Sequence, residues 1–498
     1  MKIFIGSRFK LFVTITSVAI LAACGGGGGG NPDGGASGTP EATAFLAKFD
    51  QGISVAPTSA AALYNLDDGC FKSNGSTKAY NVQYAQANSQ SVSGASQYRV
   101  GSTRTLLSVT ADRTVTNPDG STRRELDVKY RINYVDGSVD TEASNTLVSG
   151  STNGLCATPT ASADWRFLGN QRNVDVGITA NNERTEASRL VDGSTPPAFT
   201  FVRRSLDFFV QDVQGLYTYA VVSGPGTQTV SGVASPFSLK LISPRLLRDA
   251  PELAGKRGNY SNWTERDRFR ACVIPSVNNS GPAPLADCVG GGVVGSSWGN
   301  TYFPNLTVTT VASADAFFDS IGFQAGGVYT FALYNDDGWK TVNGQAGKTP
   351  ALTRSFTLQT LPYTHAEMLP ASGPSKFPVG NSLTFSAGTN FSSVVNLPAP
   401  GSFTGTWTPP PATLSDNAIF RLSDVGEYFE GINVGTTAPA TYPRHRYFTS
   451  IFPGSTANSV IANLTPTPNT INAKTFAEIS LNYTDRNSRR IRLLAQTN

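Results

Sequence analysis

The chain has 498 residues, of which only 15% are charged, and its formal net charge is +4. Loss of an N-terminal leader carrying Lys2, Arg8 and Lys10 would reduce this charge to about +1. That balance excludes the clustered basic face which nucleic-acid binding needs. The length allows about two to four domains. The 49 glycines and 30 prolines favour many short strands punctuated by turns.

The first residues have the layout of a secretory signal. An apolar run from Leu11 to Ala22 follows the basic residues, and it is shorter than the roughly 20 residues that span a bilayer. The run ends in Leu21-Ala22-Ala23-Cys24, which resembles the lipobox of bacterial lipoproteins. The resemblance implies that residues 1–23 are removed and that Cys24 is acylated, although an ordinary signal peptide with a chance cysteine is the alternative. Gly25, in place of Asp, resembles the outer-membrane sorting pattern.

Residues 24–39 are predicted to be a flexible tether. The segment is almost entirely Gly, Ser, Asn, Pro and Asp, so it has no apolar surface to bury. A tether of this kind would lift a folded body off the lipid. We therefore expect a protein anchored to the outer membrane, with its body facing either the periplasm or the cell surface.

Four further cysteines indicate disulfides, because an even number in an exported chain is typical of a disulfide framework. The sequence leaves their pairing open. We favour Cys70–Cys156 and Cys272–Cys288, since each pair then lies within one predicted domain. Zinc is the weaker reading, because no Cys-x-x-Cys and no neighbouring histidine is present. No metal and no other cofactor is expected.

A first helix is predicted to start at Thr39-Pro40-Glu41, with Thr39 as the capping hydroxyl and with Phe45, Leu46 and Phe49 on one face. Strict alternation from Leu126 to Tyr134 then predicts a half-buried strand. The turn Asn117–Gly120 links that strand to the one before it. A closing strand with a glycine irregularity is predicted from Trp165 to Val176.

The predicted order is helices first, then long meandering strands, then a closing strand with Trp165 and Gly169-Asn170-Gln171. This order resembles the nuclear transport factor 2-like (NTF2-like, SnoaL-type) fold. The resemblance covers residues 40–185 and implies a curved sheet wrapped over helices as a cone. Some members of that family are isomerases or cyclases that use an acid inside the cone, and many are non-catalytic. No family motif transfers a catalytic acid to a position in this chain. A different α+β or β domain is the alternative.

From Phe199 onward the sequence predicts strands without a helix. The segment Gly215–Val221 is echoed by Gly327–Leu333, and a Gly-x-Tyr that enters a strand resembles the tyrosine corner of immunoglobulin-like sandwiches. Gly401–Pro410 resembles an early strand of a fibronectin-III domain. We expect β-sandwich-like domains at 197–395 and 396–498. The predicted fold class is thus mainly β, with an N-terminal α+β NTF2-like cone followed by antiparallel β-sandwich-like domains.

Residues able to perform catalysis are scarce. His365 and His445 are the only histidines, and both are interpreted as solvated or structurally bonded. Gly295–Gly299 formally matches Gly-x-Ser-x-Gly, but a glycine-rich loop precedes it where a nucleophile elbow needs a strand. No catalytic residue is assigned, and the chain is interpreted as leaning towards a non-enzyme.

Two acidic turns, at Asp67-Asp68-Gly69 and Asp336-Asp337-Gly338, lack the oxygen density of a calcium loop. Trp298, Tyr302 and Trp339 are possible ligand-facing aromatics for sugars, with a packed core as the alternative reading.

The sequence therefore predicts a lipid-anchored, exported cell-envelope protein with a non-catalytic binding or structural role. Its expected partners are the membrane, through the lipid, and envelope proteins or glycans. Two alternatives stay open. One is a small-molecule isomerase or hydrolase acting in the NTF2-like cavity, and the other is a glycan-binding module.

Overall fold

A computed structural model of the chain describes 290 of its 498 residues. These are 38–54, 64–87, 101–133, 139–152, 164–186, 201–230, 233–243, 245–246, 268–271, 301–302, 311–340, 344–370, 372–373, 375–386, 402–411, 420–432, 444–451, 458–463, 473–485, 487 and 489–496. The fold over these residues is mainly β, as predicted, with several antiparallel sheets and an N-terminal helix ahead of them.

The described residues divide into two compact bodies. The first comprises the chain up to Asp175 together with Gln211–Gln214, and the second comprises Val176–Val210 and Gly215 onward. These limits do not coincide with the predicted domain boundaries at 185 and 395. The reason is that one sheet takes strands from all three predicted domains.

The first body contains two helices and six strands. In chain order they are α1 (Thr39–Gly52), β1 (Lys72–Ser73), β2 (Ser76–Thr77), α2 (Lys78–Ala87), β3 (Thr103–Thr116), β4 (Thr122–Asn133), β5 (Val139–Gly150) and β6 (Arg166–Phe167). Strands β1 and β2 form a ribbon, and β3-β4-β5-β6 form a four-stranded sheet.

Helix α1 packs its predicted apolar face on the four-stranded sheet. Phe45, Leu46 and Phe49 are buried against a row of alternating β4 side chains that includes Leu126 and Val128. The period-2 prediction for β4 is therefore confirmed. The predicted cap at Thr39 is wrong, because the residue before the helix is Gly38 and no side chain caps it.

The strand predicted from Trp165 to Val176 is interrupted in the structure. Strand β6 ends at Phe167, and Gly169 then adopts φ +79°. A Cβ at Gly169 would lie 2.2 Å from the carbonyl oxygen of Lys72, so only glycine fits there. The chain resumes strand structure at Asp175.

The second body contains fifteen strands and two helices among the described residues. They are β7 (Asp175–Glu186), β8 (Phe201–Gln211), β9 (Tyr219–Val230), β10 (Val233–Ile242), β11 (Arg270–Ala271), β12 (Thr301–Tyr302), α3 (Val311–Ser320), β13 (Val328–Tyr334), β14 (Leu352–Thr357), α4 (His365–Met368), β15 (Val379–Ser386), β16 (Ser402–Thr408), β17 (Arg421–Ile432), β18 (Arg444–Ile451), β19 (Ser459–Asn463), β20 (Ala473–Thr484) and β21 (Arg490–Gln496).

Three sheets organise these strands. Their orders are β12-β8-β7-β21-β20-β17-β18, β11-β10-β9-β13-β14 and β15-β16-β19. The C-terminal hairpin of β20 and β21 was predicted from its alternation and is confirmed. Strand β21 also pairs in parallel with β7, which brings the chain end beside a strand about 300 residues earlier.

One face of the seven-stranded sheet is apolar. Ile479, Leu481, Ile491 and Leu493 are fully buried there in a cluster with Trp407 of β16. The indole N–H of Trp407 donates to the hydroxyl of Tyr483 at 2.7 Å, so both polar groups are satisfied inside the cluster. This packing of one sheet on another is compatible with the predicted sandwich-like architecture.

One prediction for this body is wrong. Helices α3 and α4 lie after Phe199, where strands alone were expected. The strands that the two echoed segments enter, β9 and β13, pair with each other. The hydroxyl of Tyr329 donates to the carbonyl of Pro225, across the ladder on β9, at 3.0 Å.

Candidate functional site

Most sequence-predicted site residues fall outside the described residues. These are Cys24, Cys156, Cys272, Cys288, Trp298 and the Gly295–Gly299 motif. For Tyr302 and His445 the structure describes the backbone in β12 and β18 but not the side chain. Their predicted roles stay predictions.

Cys70 lies in a closed, buried cluster around the first acidic turn. The side chain of Cys70 is disulfide-bonded. Its partner cysteine is not among the described residues, so the predicted pairing with Cys156 stays a prediction. Asp68 is fully buried, and its carboxylate accepts hydrogen bonds from Arg166 Nε at 2.6 Å, Thr152 Oγ1 at 2.8 Å and the Cys70 N–H at 2.7 Å. The hydrogen bonds of this turn therefore connect distant segments of the first body within its buried interior.

The second acidic turn is closed by a lysine. The Nζ of Lys348 lies 3.0 Å from Asp336 and 2.7 Å from Asp337. Hydrogen bonds from Lys348 lower the pKa of Asp337. An ammonium group thus stands where a cation would bind, and this arrangement agrees with the interpretation of the segment as a turn.

Trp339 follows that turn and is only 4% exposed. A ring packed in this way offers no open face for a sugar to stack on. Of the three aromatics considered as ligand-facing, the one whose side chain the structure describes is therefore a core residue.

The space beneath the four-stranded sheet of the first body is filled. Tyr130, around which a catalytic cone was considered, is 6% exposed and packs with the apolar residues of α1 and β4. A charged cluster of the same body joins Arg124 to Glu41 at 2.9 Å and to Asp112 at 2.7 Å, so each of these carboxylates has a guanidinium partner.

The densest constellation of ionisable groups in the second body, as far as it is described, surrounds His365. We call Arg204, Asp315 and His365 the latch. Asp315 of α3 accepts the backbone N–H groups of His365 at 2.7 Å and Ala366 at 3.1 Å. Arg204 of β8 donates to the same carboxylate at 3.1 Å. One carboxylate therefore ties together β8, α3 and the start of α4.

The imidazole of His365 is completely buried. Its Nδ1 lies 3.3 Å from Asp315 Oδ1, but neither ring nitrogen makes an aligned hydrogen bond. Burial lowers the pKa of His365 to about 4, since the attraction of Asp315 does not compensate for desolvation and for the nearby guanidinium of Arg204. The ring is consequently neutral at pH 7. Its complete burial excludes the solvated alternative for this residue.

Another polar cluster of the second body is a row across four strands of the seven-stranded sheet. Glu183, Arg492, Asn482 and Asp424 lie directly opposite one another on β7, β21, β20 and β17, and we call them the polar row. Arg492 donates to Glu183 at 3.0 Å and to Asn482 at 2.8 Å. Asn482 in turn donates to Asp424 at 2.7 Å.

The row faces away from the apolar cluster. Glu183, Asn482 and Asp424 are buried, and the side chain of Arg492 is 13% exposed. Each of the four is joined to its neighbour by a charged or amide hydrogen bond, as a largely buried polar group requires. The row therefore aligns the four strands in register.

Sequence reasoning missed the latch, although one local signal was present. Thr364 and Glu367 form a complete capping box, with Glu367 N donating to Thr364 Oγ1 at 3.1 Å and Thr364 N donating to Glu367 Oε2 at 2.8 Å. The Thr-x-x-Glu spacing predicts such a box and would have located α4. The partners Asp315 and Arg204 lie 50 or more residues away and carry no comparable signal.

No group of three or more His, Cys, Asp or Glu side chains among the described residues is arranged to hold a metal ion. No described helix combines the length and apolarity needed to cross a bilayer.

No protein-family model matches the chain, and no curated protein is significantly similar to it. Function must therefore be argued from the residues themselves.

Proposed function

We propose that this protein is an exported lipoprotein, anchored to the outer membrane through Cys24, whose β-rich bodies have a binding or supporting role in the cell envelope. The single observation that carries the proposal is Leu21-Ala22-Ala23-Cys24, followed by six glycines. Two or three acyl chains on one cysteine give stable anchoring, whereas one chain alone is marginal. The buried disulfide at Cys70 agrees with an oxidising compartment.

Replacing Cys24 by serine is expected to release the protein from membranes while leaving its folded bodies unchanged, because the acylated thiol is lost. The measurement is metabolic labelling with palmitate, followed by membrane fractionation after a high-salt wash. We expect the variant to be unlabelled and soluble, whereas the wild type should be labelled and found in the outer membrane.

A matched control changes the next residue. Gly25→Asp should keep the palmitate label but move the protein to the inner membrane, following the sorting pattern that Gly25 resembles. Membrane retention of the Cys24→Ser variant would overturn the anchor assignment.

The binding role is supported by strand β3. It runs for fourteen residues at one end of the four-stranded sheet, and every residue in it is exposed or half-buried. Its charges are neutralised from within the first body. Arg104 pairs with Asp50 at 2.5 Å, and Arg113 pairs with Glu125 at 2.6 Å. No further described strand pairs with its outer side. An edge of this length with neutralised charges suits an extended segment of another envelope protein, which would add as a further strand beyond Arg104, whose backbone N–H donates to Asp50.

Leu107→Lys tests this edge. Leu107 sits at a bulge between Leu106 and Ser108 and is 48% exposed, so a lysine there costs little stability but blocks strand addition with its charge. The measurement is cross-linking in intact cells. The wild type should form a cross-linked product with its partner protein, and the Leu107→Lys variant should lose that product at unchanged thermal stability. Leu216→Lys is the control, since Leu216 is an exposed leucine of the second body at 38%. Equal cross-linking of both variants would contradict a role for β3.

A further inference from the structure

The segment after β14 begins with two backbone hydrogen bonds between Leu358 and Gly326-Gly327, and further along it is held to the second body by several ionisable side chains. We call residues 358–370 the strap. Arg204 and Arg489 donate to the carbonyls of Pro362 and Leu361 at 3.3 and 2.7 Å. Asn182 exchanges two hydrogen bonds with the backbone of Tyr363, each at 2.9 Å. The Asp315 carboxylate of the latch accepts the N–H groups at the start of α4.

The strap also covers the apolar cluster of the second body. Tyr363 and Met368 are 3% and 0% exposed within it. Detachment of the strap would therefore uncover buried apolar surface.

We infer that the latch makes the strap acid-sensitive: protonation of His365 loosens its hold on α3 and favours the detached strap. His365 is enclosed beside the ion pair of Arg204 with Asp315, and the guanidinium of Arg204 stacks on Phe318 of α3 at 4.3 Å. A second positive charge in this enclosed position is cut off from water and lies near the guanidinium. The carboxylate of Asp315 beside it already accepts hydrogen bonds from Arg204 and from two backbone N–H groups. In the detached strap the same imidazole would be hydrated.

The other charged groups around the strap act differently. Asp319 of α3 is 59% exposed and shares Arg204 with Asp315 at 3.1 Å, so water screens it. Glu367, on the strap itself, is exposed and engaged in the capping box. Asp485 receives the hydroxyl of Tyr363 at 2.8 Å.

Burial raises the pKa of Asp485. As pH falls, Asp485 therefore takes up a proton more readily when the strap is attached than when it is detached, so acid stabilises attachment at this residue. Release of the strap by acid therefore depends on His365, whose pKa is lowered and not raised in the attached state.

The size of the effect follows from proton linkage. The pKa of His365 is about 4 when attached against 6.5 when free, so the detached strap binds the proton first as pH falls. Stability of attachment is complete above the free pKa and is lost as pH falls through the interval between the two values. Between pH 7 and pH 5 the opening equilibrium should shift by about 20-fold.

Hydrogen exchange on the full mature chain in detergent micelles measures this opening. After correction for intrinsic rates, strap amides of the wild type should lose about 20-fold in protection between pH 7 and pH 5, while those of β13 stay unchanged. His365→Met should remove the pH dependence and keep protection at pH 7, because no aligned hydrogen bond of the ring is lost. His365→Gln serves the same purpose if the methionine variant fails to fold.

Direct titration gives an independent readout. The chain has only two histidines, so imidazole NMR resolves His365 from His445 by comparison with a His445→Gln variant. A His365 resonance that titrates below pH 5 supports the inference. Titration near pH 6.5, or an unaltered pH dependence of strap exchange in the His365 variants, would overturn it.

Discussion

Replacing Asp68 by alanine is expected to destabilise the first body by about 3–5 kcal/mol, because it strands a buried guanidinium. Asp68 is 0% and Arg166 is 10% exposed, and their atoms lie 2.6 Å apart. The same carboxylate also accepts from the hydroxyl of Thr152 and from the N–H of Cys70. Alanine would leave all three donors without this acceptor. Denaturant unfolding of the full chain, followed by a probe in the first body, measures the loss.

Asp164→Ala is the matched control for that experiment. Asp164 also pairs with a basic side chain, Lys48, but at 3.4 Å and with 75% of its side chain exposed. Solvent screens such a pair, so its loss should cost less than about 1 kcal/mol. Its backbone carbonyl, which accepts from Arg166, stays in place in this variant. Similar losses for the two variants would show that the Asp68 cluster contributes no special stability.

Replacing Arg492 by methionine is expected to cost the second body about 3 kcal/mol or more. The aliphatic part of the side chain is preserved, so the loss measures the guanidinium. Without it, Glu183 loses an ion pair of 3.0 Å and Asn482 loses a donor at 2.8 Å, both in buried positions. Differential scanning calorimetry and denaturant titration of the full chain measure the change.

Two companion variants separate the possible reasons for that loss. Gln496→Met changes a residue of the same strand whose amide donates to Glu478 at 2.8 Å, and it should cost about 1 kcal/mol. The double variant Glu183→Gln/Arg492→Met removes the stranded charge and should recover part of the loss. A double variant as unstable as Arg492→Met alone would assign the effect to packing and not to the buried carboxylate.

Much of the secondary structure could be predicted because its signals are local. The alternation in β4, the turn at Asn117–Gly120 and the hairpin of β20 with β21 depend on residues a few positions apart. The same local method missed α3. Its sequence Val311–Ser320 has no acidic residue in its first turn and no basic residue in its last turn, which are the usual end signals.

The predicted domain limits depended on compositional markers, and such markers do not report sheet pairing. Strand β7 belongs by sequence to the first predicted domain, yet its neighbour in the sheet is β21 at the chain end. The pairing arises from packing of the whole second body. It leaves no trace in the local pattern of either strand.

The sequence by itself determined the mainly β fold class, the amphipathic helix α1 and the local hairpins, because periodicity and turn chemistry act between near neighbours. The lipid anchor at Cys24 is a further inference of this kind and stays a prediction. Only the tertiary structure decided what the ionisable residues do. Asp68, His365 and Arg492 look like ordinary polar residues in the sequence. Their distant partners make Asp68 a buried hydrogen-bond acceptor that connects separate segments, leave His365 a neutral imidazole and place Arg492 at the centre of the polar row. Desolvation depends on everything that surrounds a group, and that is a property of the whole fold.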